Sequence, residues 1–287
     1  MQRSAGSDRL GDIADLAEVV ADERCPEGRV EPATIADMLG ITLSFGCYGD
    51  AFDGMLEHLH GRFHIYCNLD RVNESTSPRA RFTLGHELGH FYIDEHRRAL
   101  ESGQVPKHPS CCEFESKNPV EIEADHFASN LLMPRGRFLK KAKGLSPGLS
   151  SVLSLARHFG TSVTSTAIRY VTLGIAPGAV VKWSDGNYSW KWLSTAVFAA
   201  QYRRTIESAS QLPFDSPTAR ALRGEVPAGQ LPFFRSGTTA SAWFPSVPHD
   251  AGSWNLLFME EAIALGRFGV LTFLYPADGS VPKSSHL

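Results

Sequence analysis

Residues 81–93 read Arg-Phe-Thr-Leu-Gly-His-Glu-Leu-Gly-His-Phe-Tyr-Ile. Ser77-Pro78 lies just before them and offers an N-cap followed by a proline at the first helical position. We therefore predict a single helix from Arg79 to Ile93. His86 and His90 are four positions apart, so they project from the same face of this helix, one turn from each other.

Two histidines at this spacing can present ring nitrogens to one metal ion. Glu87 is displaced by about 100° from His86, which lets its carboxylate stand beside the ion and accept a proton from water. The pattern predicts a hydrolytic zinc site in which His86 and His90 are ligands and Glu87 is the general base.

A catalytic zinc site commonly has a third protein ligand. Asn118-Pro119 signals the start of a second helix, predicted from Val120 to Leu132. This helix offers four candidates: Glu121, Glu123, Asp125 and His126.

Glu121 and Asp125 share a helix face, so one can bind the ion while the other orients a histidine ring. We assign Glu121 as the ligand and Asp125 as the orienting residue. Glu123 is the fallback ligand, and His126 comes after it. Glu121 also has a purely structural alternative, because it lies three residues after Asn118 and can close a capping box.

Two motifs in this order resemble the ImmA/IrrE metallopeptidases. The first is residues 81–90, and the second is residues 121–134, which read Glu-Ile-Glu-Ala-Asp-His-Phe-Ala-Ser-Asn-Leu-Leu-Met-Pro. The resemblance extends over roughly residues 30–175 and implies that Glu121 begins the ligand motif, with Asp125 four residues later. The resemblance thus implies the same choice of ligand as the helix spacing.

What the resemblance implies is a regulatory metallo-endopeptidase that uses zinc, with manganese as the alternative ion. Members of this family relieve transcriptional repression by cleaving a helix-turn-helix repressor, in stress responses or in the control of mobile elements. A protein substrate of that kind is therefore the expected partner.

Two other functions compete with this one. The helices predicted at 151–159 and 162–173 have helix-turn-helix proportions, which suggests a DNA-binding regulator. The second of them contains only Arg169 as a basic residue, so we do not expect direct DNA binding. A non-catalytic protein-binding module stabilised by zinc is the third hypothesis, and Glu87 argues against it because a closed structural site needs no base.

The predicted fold class is α+β. We expect a mainly helical, zincin-like peptidase core with a small antiparallel sheet over residues 1–145, and a helix-turn-helix-like segment over 146–176. A C-terminal α/β region of mixed strands and helices, with a sensory or regulatory role, should follow over 177–287.

Local patterns refine this expectation. Residues 41–45 and 63–69 are predicted to be antiparallel strands, and residues 94–118 to be a long irregular connection. Two hairpins are predicted near the C-terminus, one turning at Asp185-Gly186 and the other around residues 266–269.

Charge divides the chain. Residues 1–134 hold 12 Lys/Arg and 23 Asp/Glu, whereas residues 135–287 hold 16 and 8, so the net charges are −11 and +8. The acidic part suits a cation, and the basic part suits phosphate, nucleic acid or an acidic partner, unless the opposite charges simply aid docking of the two parts. A small-molecule or nucleic-acid signal is the expected ligand of the C-terminal region. Acidic residues interrupt the N-terminus, and no long apolar run occurs, so we expect no membrane span and a cytoplasmic location.

Overall fold

The computed structural model describes residues 5–103, 107–110, 118–194, 205–227, 229–244 and 256–278. They form two compact units. The first comprises Met1–Phe138 with Ala156–Ser162, and the second comprises Leu139–Leu155 with Val163–Leu287. Both helices and sheets are present, which confirms the α+β class. The division into three segments at residues 145 and 176 stays a prediction.

Within the described residues, the first unit contains six complete helices and a four-stranded sheet. The helices are α1 (Ala5–Arg24), α2 (Pro32–Met38), α3 (Leu69–Val72), α4 (Pro78–Tyr92), α5 (Asp94–Glu101) and α6 (Pro119–Leu132). The strands are β1 (Thr42–Gly46), β2 (Gly54–Leu59), β3 (Arg62–Asn68) and β4 (Lys107–Ser110), in the order β1-β3-β2-β4. Helices α7 (Arg135–Ala142) and α8 (Leu149–Phe159) contribute residues to both units.

The sheet corrects one prediction. Strands β1 and β3 pair in parallel, not antiparallel, and β2 pairs antiparallel with β3. Strand β2 escaped prediction because residues 54–59 contain no β-branched or Phe, Tyr or Trp residue. His60 and Gly61, with φ of 51° and 74°, form the tight turn that returns β2 onto β3. Strand β1 therefore joins the other edge of β3.

The predicted irregular connection over residues 94–118 is also wrong where the chain is described. Helix α5 occupies its start, and β4 pairs antiparallel with β2, placing Ser110 opposite Gly54. Residues 104–106 and 111–117 lie outside the described residues. Strand β4 is short and polar, so its pairing partner, rather than its own sequence, makes it a strand.

Helices α4 and α6 begin as their local signals predict and then cross closely. Ser77 accepts a hydrogen bond from the backbone N–H of Ala80, and Asn118 caps α6 in the same way. A Cβ atom on Gly89 would lie 3.1 Å from the Cα atom of Ala124 and 3.2 Å from its carbonyl oxygen. The glycines that weaken α4 as an isolated helix thus let α6 approach its backbone.

Two partly buried ion pairs hold the N-terminal half of α4. Arg79 donates to the buried carboxylate of Asp53 at 2.7 Å, immediately before β2. Arg81, which is 5% exposed, pairs with Glu31 and donates to the carbonyl oxygens of Val30 at 2.6 Å and Gly160 at 3.0 Å. The pKa of Asp53 is lowered because its two arginine partners outweigh its burial.

The second unit is built around a five-stranded antiparallel sheet in the order β6-β5-β9-β8-β7. Its strands are β5 (Ala179–Ser184), β6 (Asn187–Leu193), β7 (Phe234–Thr239), β8 (Leu257–Ala264) and β9 (Val270–Pro276), and its further helices are α9 (Val163–Thr172), α10 (Pro217–Leu222) and α11 (Ala240–Trp243). Both predicted hairpins are confirmed, the first with positive φ at Asp185 and Gly186.

Trp183 and Trp243 are fully or almost fully buried in the core of this unit.

Among the helices that the structure describes, none is both long and apolar enough to cross a bilayer.

Substitution of Gly89 by alanine should destabilise the protein, although alanine is the better helix former. Contact with the backbone of Ala124 costs about 1–3 kcal/mol, against a gain in helix propensity of about 0.5–1 kcal/mol. We expect urea unfolding to show a net loss of about 1–2 kcal/mol. Gly11→Ala is the matched control, because Gly11 lies within α1 with no atom within 4 Å of the added Cβ. Equal stabilisation by both substitutions would contradict the close packing of α4 against α6.

Candidate metal centre

The two histidines of α4 meet at their Nε2 atoms. His86 is 0% exposed and His90 is 1% exposed, and their Nε2 atoms are 3.0 Å apart. Because the residues lie one turn apart on the same helix face, both rings point to one place. The arrangement is the two-histidine pair that the sequence predicts.

Glu121 of α6 closes the group from the facing helix. Its Oε2 atom lies 3.4 Å from Nε2 of His86, and its Oε1 atom lies 3.5 Å from Nε2 of His90. All three residues are buried, and the close crossing of α4 and α6 is what brings the carboxylate to the imidazoles. Within the described residues, these three side chains form the only group with metal-ligand spacing.

The dimensions of this group fit a tetrahedral ion. Ligand atoms about 2.0–2.1 Å from a tetrahedral zinc ion are roughly 3.3–3.4 Å from one another. The two Nε2 atoms are 3.0 Å apart, and each lies 3.4 or 3.5 Å from a different oxygen of the Glu121 carboxylate. Two neutral imidazoles and one carboxylate are also the donor types that zinc accepts in catalytic sites.

Electrostatics favour a cation at the same place. Burial alone lowers the pKa of His86, but its hydrogen bonds with Asp125 and Glu121 and the nearby charge of Glu87 outweigh burial and raise the pKa to about 10. Three carboxylates therefore make the surroundings of the ring negative. A divalent ion satisfies this demand for positive charge without protonating the histidine.

Asp125 lies where an orienting residue is needed. Its Oδ1 atom is 2.7 Å from Nδ1 of His86, so Nδ1 carries the proton and donates it. Nε2 of His86 then keeps its lone pair and faces His90 and Glu121. The structure thus places the four predicted residues His86, His90, Glu121 and Asp125 together.

The two fallback ligands do not belong to the group of three. Glu123 points to another face of α6, where its carboxylate contacts Arg9 at 3.1 Å and Nε2 of His96 at 3.3 Å. His126 also stays outside the group, and its carbonyl oxygen accepts a hydrogen bond from Asn130.

Glu87 is completely buried and lies against β2. A Cβ atom on Gly54 would come within 2.6 Å of Oε1 of Glu87 and would also meet the methyl group of Thr83. Only a glycine therefore leaves room for the carboxylate at this point of the strand. Sequence reasoning missed Gly54, because its role depends on pairing that places β2 beside α4.

Comparison with known proteins agrees with this geometry. The model of the Peptidase_M78 family, described as the IrrE N-terminal-like domain, matches residues 71–170. No curated protein matches the chain.

One solved structure with a similar fold is described as a Mycobacterium tuberculosis transcriptional regulator. It is 16% identical, with a TM-score of 0.61, and the match covers 98% of this chain and 82% of that one. At this identity the likeness concerns the fold alone. Residues 71–170, which carry both helices of the candidate metal centre, match the IrrE N-terminal-like domain, and this match supports membership of the ImmA/IrrE metallopeptidase family.

Proposed function

We propose that this protein is a zinc-dependent endopeptidase that cleaves a specific protein. The observation that carries the proposal is the buried triangle of His86, His90 and Glu121, with Glu87 adjacent on the same helix. A glutamate beside the metal ligands distinguishes a hydrolytic site from a structural one. Manganese is the alternative ion, because a carboxylate ligand also suits it.

Each residue has a defined task in peptide hydrolysis. A bound zinc ion supplies Lewis acidity towards a water molecule and the peptide carbonyl. Glu87 accepts the proton of that water and later returns it to the amine of the leaving peptide. Asp125 keeps His86 in the tautomer whose Nε2 atom faces the metal.

For the substrate, we propose a transcriptional repressor of the helix-turn-helix class, so that cleavage relieves repression. Support comes from the IrrE N-terminal-like domain and, more weakly, from the fold likeness to a chain described as a transcriptional regulator. The C-terminal unit is the candidate receiver of a small-molecule or nucleic-acid signal that controls cleavage.

Direct DNA binding through α9 is the competing proposal, and the burial of this helix argues against it. Of its ten residues, only Thr172 is exposed, and the helix packs against β5 and β6. A recognition helix must present several side chains to base edges in the major groove. Arg169 is half-buried as well, which leaves α9 poorly suited to contact phosphates.

The substrate can be identified by co-expressing the full chain with helix-turn-helix repressors encoded near its gene. Mass spectrometry should find one repressor cut at a defined peptide bond, and the cut should disappear when a chelator removes the metal. A repressor that stays intact while the purified chain shifts its operator DNA would favour the DNA-binding alternative.

Glu87→Gln should abolish cleavage and leave the metal in place. The amide cannot accept the proton of water, so we expect the cleavage rate to fall by about 100- to 10,000-fold. Zinc content, measured by atomic absorption, should stay at one ion per chain. Glu74→Gln, which changes an exposed glutamate of the same unit, is the control and should cleave normally. Full activity of Glu87→Gln would refute the role of Glu87 as the base.

The double variant His86→Ala, His90→Ala should lose the zinc itself, and retention of zinc in this variant would refute the metal site.

Gly54→Ala should separate metal binding from catalysis. The added methyl group displaces the Glu87 carboxylate, and its three nearest atoms belong to Thr83 and Glu87 and not to a metal ligand, so zinc content should be unchanged. A displacement of about 1 Å at a reacting group costs on the order of 100-fold in rate, and we expect a loss of that size in cleavage assays. Gly237→Ala is the matched control, because Gly237 lies within β7 with open space around it. Normal cleavage by Gly54→Ala would show that Glu87 does not need its position against β2.

A further inference from the structure

A second hydrogen-bonded chain lies behind the candidate metal centre, on the side of His90. Nδ1 of His90 is 3.2 Å from Nδ1 of His96, and Nε2 of His96 is 3.3 Å from Oε2 of Glu123. His96 lies in α5, the helix that sequence analysis missed, and is 9% exposed. Neither His96 nor Glu123 is in the metal-ligand group, so their arrangement has a role still to be assigned.

Only one assignment of protons suits all these distances when His90 binds a metal through Nε2. Nδ1 of His90 must then carry a proton and donate it to Nδ1 of His96. His96, as a neutral imidazole, carries its own proton on Nε2 and donates it to the carboxylate of Glu123. Each donor in the chain thus faces an acceptor.

Arg9 of α1 completes the chain. Its Nε and Nη2 atoms donate to the two oxygens of Glu123 at 3.3 and 3.1 Å, which is the side-by-side geometry of a strong guanidinium–carboxylate pair. The same guanidinium also binds Glu95, whose side chain is 65% exposed. Helix α1 therefore fixes the carboxylate that receives the His96 proton, although α1 lies outside residues 71–170.

We propose that His96 is a positioning residue of the metal centre, which holds the His90 ring with Nε2 towards the ion, and that Glu123 and Arg9 hold His96 in turn. The inference rests on the proposed metal site and deepens it. His86 receives its support directly from a carboxylate, whereas His90 receives it through an intervening imidazole. The N-terminal helix thereby becomes part of the metal site.

Metal affinity tests this inference without relying on activity. His96→Leu removes the acceptor for His90, whereas His96→Gln retains an amide oxygen that can accept and an amide N–H that can donate. In competition with a chromophoric chelator, we expect His96→Leu to bind Zn²⁺ about 10- to 100-fold more weakly than the unaltered chain. His96→Gln should recover most of this affinity. The visible absorption bands of Co²⁺ bound in place of zinc should shift in His96→Leu and return towards the original spectrum in His96→Gln.

Glu123→Ala and Glu95→Ala form a matched pair, because both remove a carboxylate partner of Arg9, whereas the hydrogen-bonded chain from His96 runs to Glu123. Glu123→Ala should weaken Zn²⁺ binding, and Glu95→Ala should not. Circular dichroism checks that each variant is folded, and Glu123→Ala decides the matter if His96→Leu does not fold.

Zinc affinity and cobalt spectra identical to those of the unaltered chain in both His96→Leu and Glu123→Ala would overturn the inference. Zinc binding with no cleavage of any protein would instead refute the proposed peptidase, and the affinity comparison would still decide the role of His96.

Discussion

The close approach of α4 and α6 is the constraint on which the candidate site depends. Gly85 and Gly89 face Ala128 and Ala124, so four small residues let the two helix backbones come together. Larger side chains at these positions would separate the helices and carry Glu121 away from the histidines. Glycine lowers the intrinsic helix propensity of α4, and the N-cap and partly buried ion pairs of its first turns offset that cost.

Local signals allowed prediction of the parts that depend on neighbours in sequence. Ser77-Pro78 and Asn118-Pro119 start α4 and α6 at the expected residues, and Asp185-Gly186 makes the expected turn. The i to i+4 spacings, read with helical geometry, selected the residues that the structure brings together around His86.

The remaining features depend on contacts between distant segments. Strand β2 has a sequence without strand preference and exists because β3 and β4 pair with its two edges. Strand β1 takes the edge of β3 that β2 leaves open, and its own sequence does not show that it pairs there in parallel. His96 and Arg9 carry no recognisable spacing to the metal motif, since they reach it from α5 and α1 only after folding. Periodicity within a single segment contains no information about such contacts.

Arg79 and Arg81, whose ion pairs hold the first turns of α4, also fix the rotation of this helix about its own axis. Arg79 donates to the carboxylate of Asp53, just before β2. Arg81 donates to the backbone carbonyls of Val30, just before α2, and of Gly160, just after α8. Successive residues on a helix differ by about 100°, so a turn of that size would present Glu87 where His86 now stands. The two arginines therefore fix the rotation of α4, and this rotation determines that His86, rather than Glu87, faces the carboxylates of Glu121 and Asp125.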